Sequence, residues 1–144
     1  MRPPWTVIVV AAAEFGVAAY GLMLLISPAQ TLSGSFVEAT GTSIEAVRLL
    51  APKVHDYFLL VARMLGGFNL GFGLLACAVV LGPFRAGERW ARWALVVGNL
   101  AAWGTSIAID LRVGFIGLPE AMEFVLAAVL VAGLVAHRTV PLSR

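Results

Sequence analysis

Four stretches of the chain are almost continuously apolar: Trp5–Ile26, Tyr57–Leu81, about Trp90–Asp110, and Leu118–Ala136. Runs of roughly 18 or more apolar residues read as membrane spans, because about 20 helical residues cross a hydrocarbon core some 30 Å thick. The pattern predicts an all-α fold, an integral-membrane bundle of four transmembrane helices forming a single membrane domain over residues 1–144. The first run has Glu14 in its middle and exceeds the apolar stretch of a signal peptide, so it reads as a retained helix. The fourth is the weakest, since Glu120 and Glu123 leave a clean apolar run only from Phe124; Pro119 fits the first turn of a helix there.

The segment between the first two runs is long for so small a protein. Its front half, SPAQTLSGSFVEATG, is rich in Ser, Thr and Gly and is expected to be irregular. Thr42 and Glu45 then have the spacing of a capping box. Ile44, Val47 and Leu50 follow at helical intervals, and Pro52 closes the segment. The expectation is a short amphipathic helix, about 43–51, lying on the outer membrane face as a connector or as a lid over a cavity.

Composition sharpens this picture. The chain is 60% hydrophobic and 12% charged, with a mean hydropathy of +0.93, where a soluble domain carries about a quarter charged residues. Ten basic residues against eight acidic ones are too balanced for a nucleic-acid surface. Arg2, Arg85, Arg89, Arg92, Arg138 and Arg144 fall on one side of a four-span topology, and Arg48, Lys53 and Arg112 on the other. The positive-inside rule then places both termini and the 83–89 connection on the cytoplasmic face of a bacterial-type membrane. Trp5, Trp90 and Trp93 near the cytoplasmic ends suit interface anchors. Cys77 is the single cysteine, which excludes an intramolecular disulfide and a cysteine metal site; no metal and no cofactor is expected.

Ionisable residues inside the spans call for an explanation, since a charge at that depth costs a few kcal/mol unless paired or wetted. At about 1.5 Å per residue from the outer span ends, Glu14 lies ~18 Å deep, Asn99 ~17 Å, Arg63 ~10–13 Å and Glu123 ~6–8 Å, with Asp110 at the boundary. Arg63 is expected to neutralise a carboxylate, with Glu14 as first choice and Glu123 and Asp110 as rivals. Such a pair serves either the fold or acid–base chemistry. Asn99, Trp103, Ser106 and Asp110 recur at intervals of 4, 3 and 4 and share one helical face. Asp56 and Arg63, seven apart, share a face of the second span. His55 beside Asp56 opens the second span at the interface. Asn69 and Asn99 are interhelical hydrogen-bond partners or substrate contacts, and Trp103 is core or a platform for a flat or cationic group. The Gly67-x-x-x-Gly71 spacing suits close helix approach or leaves backbone room for a ligand, with Gly66 and Gly73 adding to it. No nucleophile elbow, P-loop or HExxH is present, which argues against serine-triad acyl transfer, nucleotide binding and zinc hydrolysis.

The segment Arg63-Met-Leu-Gly66-Gly67-Phe-Asn-Leu-Gly71-Phe-Gly73, followed by an Arg-rich connection and a third span, resembles the small four-helix bacterial membrane proteins of the DoxX-like type over about residues 57–110. The resemblance implies a four-helix bundle and, for some members, a place as subunit of a membrane redox system. Glu14 and Glu123 are not part of that pattern. Three functions follow as expectations. The first is an integral-membrane enzyme, an isomerase or cyclase, using Glu14, Glu123 or Asp110 for acid–base chemistry on an isoprenoid, terpenoid or sterol-like substrate. In it Arg63, Asn69, Asn99, Trp103, Ser106, His55 and Asp56 would shape the site, and burial would favour the uncharged carboxyl needed of a general acid. The second is a non-catalytic subunit or assembly factor, and the third a small proton-coupled carrier. The partners expected are a lipophilic small molecule or lipid, the membrane, and a second copy or another membrane subunit.

Overall fold

The computed structural model describes residues 4–113 and 118–137, and every regular element among them is helical. In chain order these are α1 (Pro4–Ile26), α2 (Pro28–Thr31), α3 (Ser33–Thr40), α4 (Ile44–Leu50), α5 (Pro52–Val79) running into a π-helical turn (Val80–Phe84), α6 (Arg89–Val113) and α7 (Leu118–Ala136). Three stretches, Trp5–Ile26, Pro52–Phe84 and Arg89–Arg112, are long and apolar enough to cross a membrane; the apolar part of α7, Glu123–Ala136, is shorter. Large apolar side chains such as Ile8, Phe15, Phe68, Leu75, Val97 and Leu100 are exposed along these helices. Soluble proteins rarely expose so much apolar surface in continuous patches, and the combination suits a membrane protein. Arg2, Arg138, Arg144 and the Glu120 side chain, used above for orientation and depth, lie outside the described residues.

The chain divides into two compact units, residues 16–73 and residues 1–15 with 74–144. Both α1 and α5 contribute to each. The buried positions of α1, namely Thr6, Val10, Ala13, Glu14, Val17, Ala18, Gly21 and Leu24, follow the three-and-four spacing of a single helical face.

In the 16–73 unit, α1 and α5 meet backbone to backbone. A Cβ added at Gly21 would collide with the backbone nitrogen of Leu70 and lie 2.7 Å from the Gly66 carbonyl oxygen. A Cβ added at Gly66 would lie 2.7 Å from the Gly21 carbonyl oxygen and 2.8 Å from Leu24 Cβ. The expected close approach through Gly67 and Gly71 is thereby corrected: those two glycines face open space, and the contact is made by Gly66 with Gly21.

The expectation of an irregular front half is corrected too, since α2 and α3 occupy it. Pro28 supplies a first-turn residue, and Gly41, at φ 68°, ends α3 in the left-handed conformation. The hydroxyls that argued for a loop are absorbed by the backbone: Thr31 donates to the Ser27 carbonyl at 2.9 Å, and Thr40 to that of Phe36 at 2.7 Å. Phe36 on α3 packs edge-on against Phe58 on α5, ring centroids 5.0 Å apart, which anchors α3. The predicted helix near 43–51 is present as α4, but its cap is Ser43, whose Oγ accepts from the Ala46 N–H at 3.0 Å, rather than Thr42. Glu45 pairs instead with Arg48 one turn on.

In the other unit, Val10, Ala13, Ala76, Val80, Phe84, Ala91, Leu95, Leu130 and Leu134 form the apolar core. Gly133 lets α7 approach α1, since a Cβ there would lie 2.8 Å from Val10 Cγ2. Pro83 stands inside the π-helical turn. It has no N–H to offer the preceding turn, and a wider turn accommodates that loss. The chain then closes at Gly87, at φ 84°, with the Gly87 N–H on the Phe84 carbonyl (2.8 Å) and the Glu88 N–H on that of Pro83 (3.0 Å). Residues expected to begin a loop at Pro83 thus continue the helix.

Candidate functional site

The inward face of α1 carries two polar side chains, Thr6 and Glu14, both fully buried. Each meets a different polar partner within the unit formed by residues 1–15 and 74–144.

Glu14 meets Asn99. On α6 the buried positions Ala91, Leu95 and Asn99 recur every four residues, so Asn99 continues the core-facing line. Its Nδ2 donates to Glu14 Oε1 at 2.8 Å and to the Leu95 carbonyl, one turn back, at 2.8 Å. Because both contacts are acceptors, they fix which end of the amide carries the hydrogens. Both donor hydrogens are thereby used. Glu14 Oε2 and Asn99 Oδ1 remain buried without a hydrogen-bond partner. Leaving a buried polar atom unpaired costs about 1–3 kcal/mol, so this arrangement is held against the interest of folding.

Thr6 meets His137, whose ring is also fully buried. Thr6 Oγ1 and His137 Nδ1 are 2.8 Å apart, and His137 Nε2 lies 3.1 Å from the Phe84 carbonyl oxygen. A carbonyl only accepts, so Nε2 donates; in the neutral ring Nδ1 then accepts from the threonine hydroxyl. The ring also stacks on Phe84, centroids 4.0 Å apart at 28°. One imidazole thereby ties the ends of α1 and α7 to the π-helical turn.

Between α6 and α7 runs a groove of about 800 Å³. Arg92, Val96, Asn99, Trp103 and Ile107 line it from α6, and Ala127, Val131 and Val135 stand opposite on α7. Among the described residues its walls are apolar apart from Arg92 and Asn99, with the Trp103 ring as the one large aromatic surface. Glu14 is not a wall residue; it lies one hydrogen bond behind Asn99. The arrangement suits an elongated apolar molecule with a polar group level with Asn99.

The predicted residues separate accordingly. The expected polar stripe of α6 does face inward: Asn99 is buried, and Trp103, Ser106 and Asp110 are half-buried. Of these, Asn99 and Trp103 line the groove, whose described lining on α6 ends at Ile107. Glu123 is half-buried on α7, and the lining there begins at Ala127. Arg63, expected to neutralise Glu14, belongs to the 16–73 unit and is exposed on α5, whereas the partner of Glu14 is the Asn99 amide. Asn69, half-buried, stands in the turn of α5 that crosses Gly21. In that unit, too, the buried ring of His55 meets the exposed Asp56, Nδ1 to Oδ1 at 3.0 Å. Sequence reasoning did not single out Thr6, Phe84 or His137, and it counted Arg92 only as an orientation charge. No protein-family model, no curated protein and no solved structure matches this chain.

Proposed function

We propose that the protein is a four-span membrane protein, both termini cytoplasmic, that holds a lipophilic molecule in the α6–α7 groove and acts on it by acid–base chemistry through the Glu14–Asn99 pair. At 19 residues and about 1.5 Å each, α7 approaches the thickness of a hydrocarbon core and serves as the fourth span. The carrying observation is that two oxygens, Glu14 Oε2 and Asn99 Oδ1, are buried without a partner next to an apolar groove. Fold stability alone would select against them, so a function that uses them is favoured. Asn99 Oδ1 accepts a hydrogen bond from the bound molecule and fixes its depth. Glu14 Oε2 is the oxygen at which a proton is held or received once the Asn99 side chain swings aside and opens it to the groove. Isomerisation or cyclisation of an isoprenoid or sterol-like substrate is the matching reaction class. The test is binding and turnover of such lipids by protein reconstituted in vesicles. Glu14→Gln is expected to keep binding and abolish turnover; turnover that survives Glu14→Gln removes the acid–base role.

A second reading, as a non-catalytic subunit of the DoxX-like kind, has its own observation. Arg63, Gly67 and Gly71 follow at intervals of four along α5 and are exposed, and the two glycines have open space beside them. A two-fold dimer through this face would set Arg63 against Arg63 at equal depth, so the matching partner is a different helix bearing a carboxylate. Co-purification of such a partner with the wild type but not with Arg63→Gln would favour this reading.

A further inference from the structure

The groove is not uniform along its length, and the one charge among its described lining residues sits at one end. Arg92, in the first turns of α6, is half-buried and lines the groove. Seven residues on, about 10 Å along the helix, comes Asn99. Beyond it the α6 side is Trp103, Gly104 and Ile107, and the α7 side is alanine and branched aliphatic side chains throughout. The order is cation, neutral acceptor, then hydrocarbon.

Nothing among the described residues pairs with Arg92. The nearest carboxylate in sequence, Glu88, stands one helical turn before it, the spacing at which an ion pair forms, yet it accepts the Trp90 indole N–H instead. Arg89, three residues before Arg92, is exposed and adds positive charge. A guanidinium carries five donors in a planar fork matched to carboxylate and phosphate oxygens, and a half-buried one gains more from an anion than an exposed one does. Asn99 is a second built contact, being 5% exposed with its Oδ1 unpartnered.

We infer that the groove takes an amphiphile with an anionic head, a carboxylate or a phosphate monoester, held at Arg92, its chain running past Asn99 to Trp103 and Ile107. This rests on the groove being a ligand site, as proposed above, and adds the class of molecule that it selects. Arg92 sets the choice of head, and Asn99 selects chains with a hydrogen-bond donor about 10 Å from that head.

Trp103 provides the readout. Trp5, Trp90 and Trp93 are exposed and replaceable by Phe, with Glu88→Gln made alongside so that the carboxylate held by Trp90 cannot turn to Arg92, leaving Trp103 as the sole indole. The protein is placed in phosphatidylcholine vesicles and titrated with dibromostearate and with its methyl ester, reading bromine quenching of Trp103. Hexadecyl phosphate and hexadecanol serve as a second matched pair, competing against the brominated probe. At least one anion is expected to act at about tenfold lower concentration than its neutral counterpart, the scale of one charged hydrogen-bond contact. Arg92→Gln is expected to erase the difference and Arg92→Lys to keep part of it. Equal action of anion and neutral counterpart in both pairs, or a preference that survives Arg92→Gln, overturns the head placement while leaving the groove a lipid site. Quenching by neither brominated probe overturns both.

Discussion

The two ends of α1 are packed by opposite means. In the 16–73 unit its second half meets α5 through Gly21 and Gly66, so closely that neither position has room for a single added carbon. In the other unit its first half is tied by side-chain hydrogen bonds, Thr6 to His137 and Glu14 to Asn99. Backbone contact between small residues leaves no cavity and no polar group to satisfy. Side-chain contact needs partners of matching chemistry. Here it also leaves two buried oxygens unpartnered beside a groove. One helix therefore contributes to a region built for fit and to another in which fit has been given up. That asymmetry is the reason for placing function in the second.

The comparison can be broken most severely at the glycines. Gly21→Leu is expected to destabilise the fold by about 3 kcal/mol or more, since overpacking against rigid backbone allows no relaxation. Gly71→Leu, facing open space, should stay within about 0.5 kcal/mol. Thermal unfolding in detergent measures both, and equal effects would refute the assignment of the close approach to Gly21 and Gly66. Next in size is His137→Ala, which removes two hydrogen bonds and a stacked ring and is expected to cost about 2–3 kcal/mol. The same measurement applies, and an unchanged midpoint would mean that the buried imidazole holds nothing together. Of the hydrogen-bonded positions, the smaller effect is expected of Glu14→Gln. Its side-chain carbonyl still accepts from Asn99, and the change should fall within about 1 kcal/mol in either direction. A loss comparable to that of His137→Ala would mark Glu14 as structural and weaken the acid–base reading.

Much of the architecture was legible along the chain because apolar periodicity is local. The three long helices and α4 could be read that way, although α5 continues through Pro83, where a wide turn replaces the expected break. The 28–40 segment misled for an identifiable reason. Ser and Thr suggest loops when their hydroxyls compete with the backbone, but here the same hydroxyls donate to carbonyls three or four residues back inside a helix. The site was half legible. Glu14 and Asn99 stand at closely similar depths, about 18 and 17 Å by residue rise, and that match pointed to their contact. Choosing Arg63 for Glu14 gave charge complementarity priority over depth. The histidine node was not legible at all. Thr6 and His137 are 131 residues apart, and no periodicity along a chain records which helix ends meet.

The contact between Glu14 and Asn99 spans 85 residues, and a chain is made in order. At roughly 5–20 residues per second, the acid exists for on the order of ten seconds before the amide that will meet it has been synthesised. During that interval the first helix is a long apolar segment carrying an unanswered carboxyl at its midpoint. The second half of α1 can dock on α5 through Gly21 and Gly66 as soon as α5 is made, whereas the Glu14 contact can close only after α6 has been delivered.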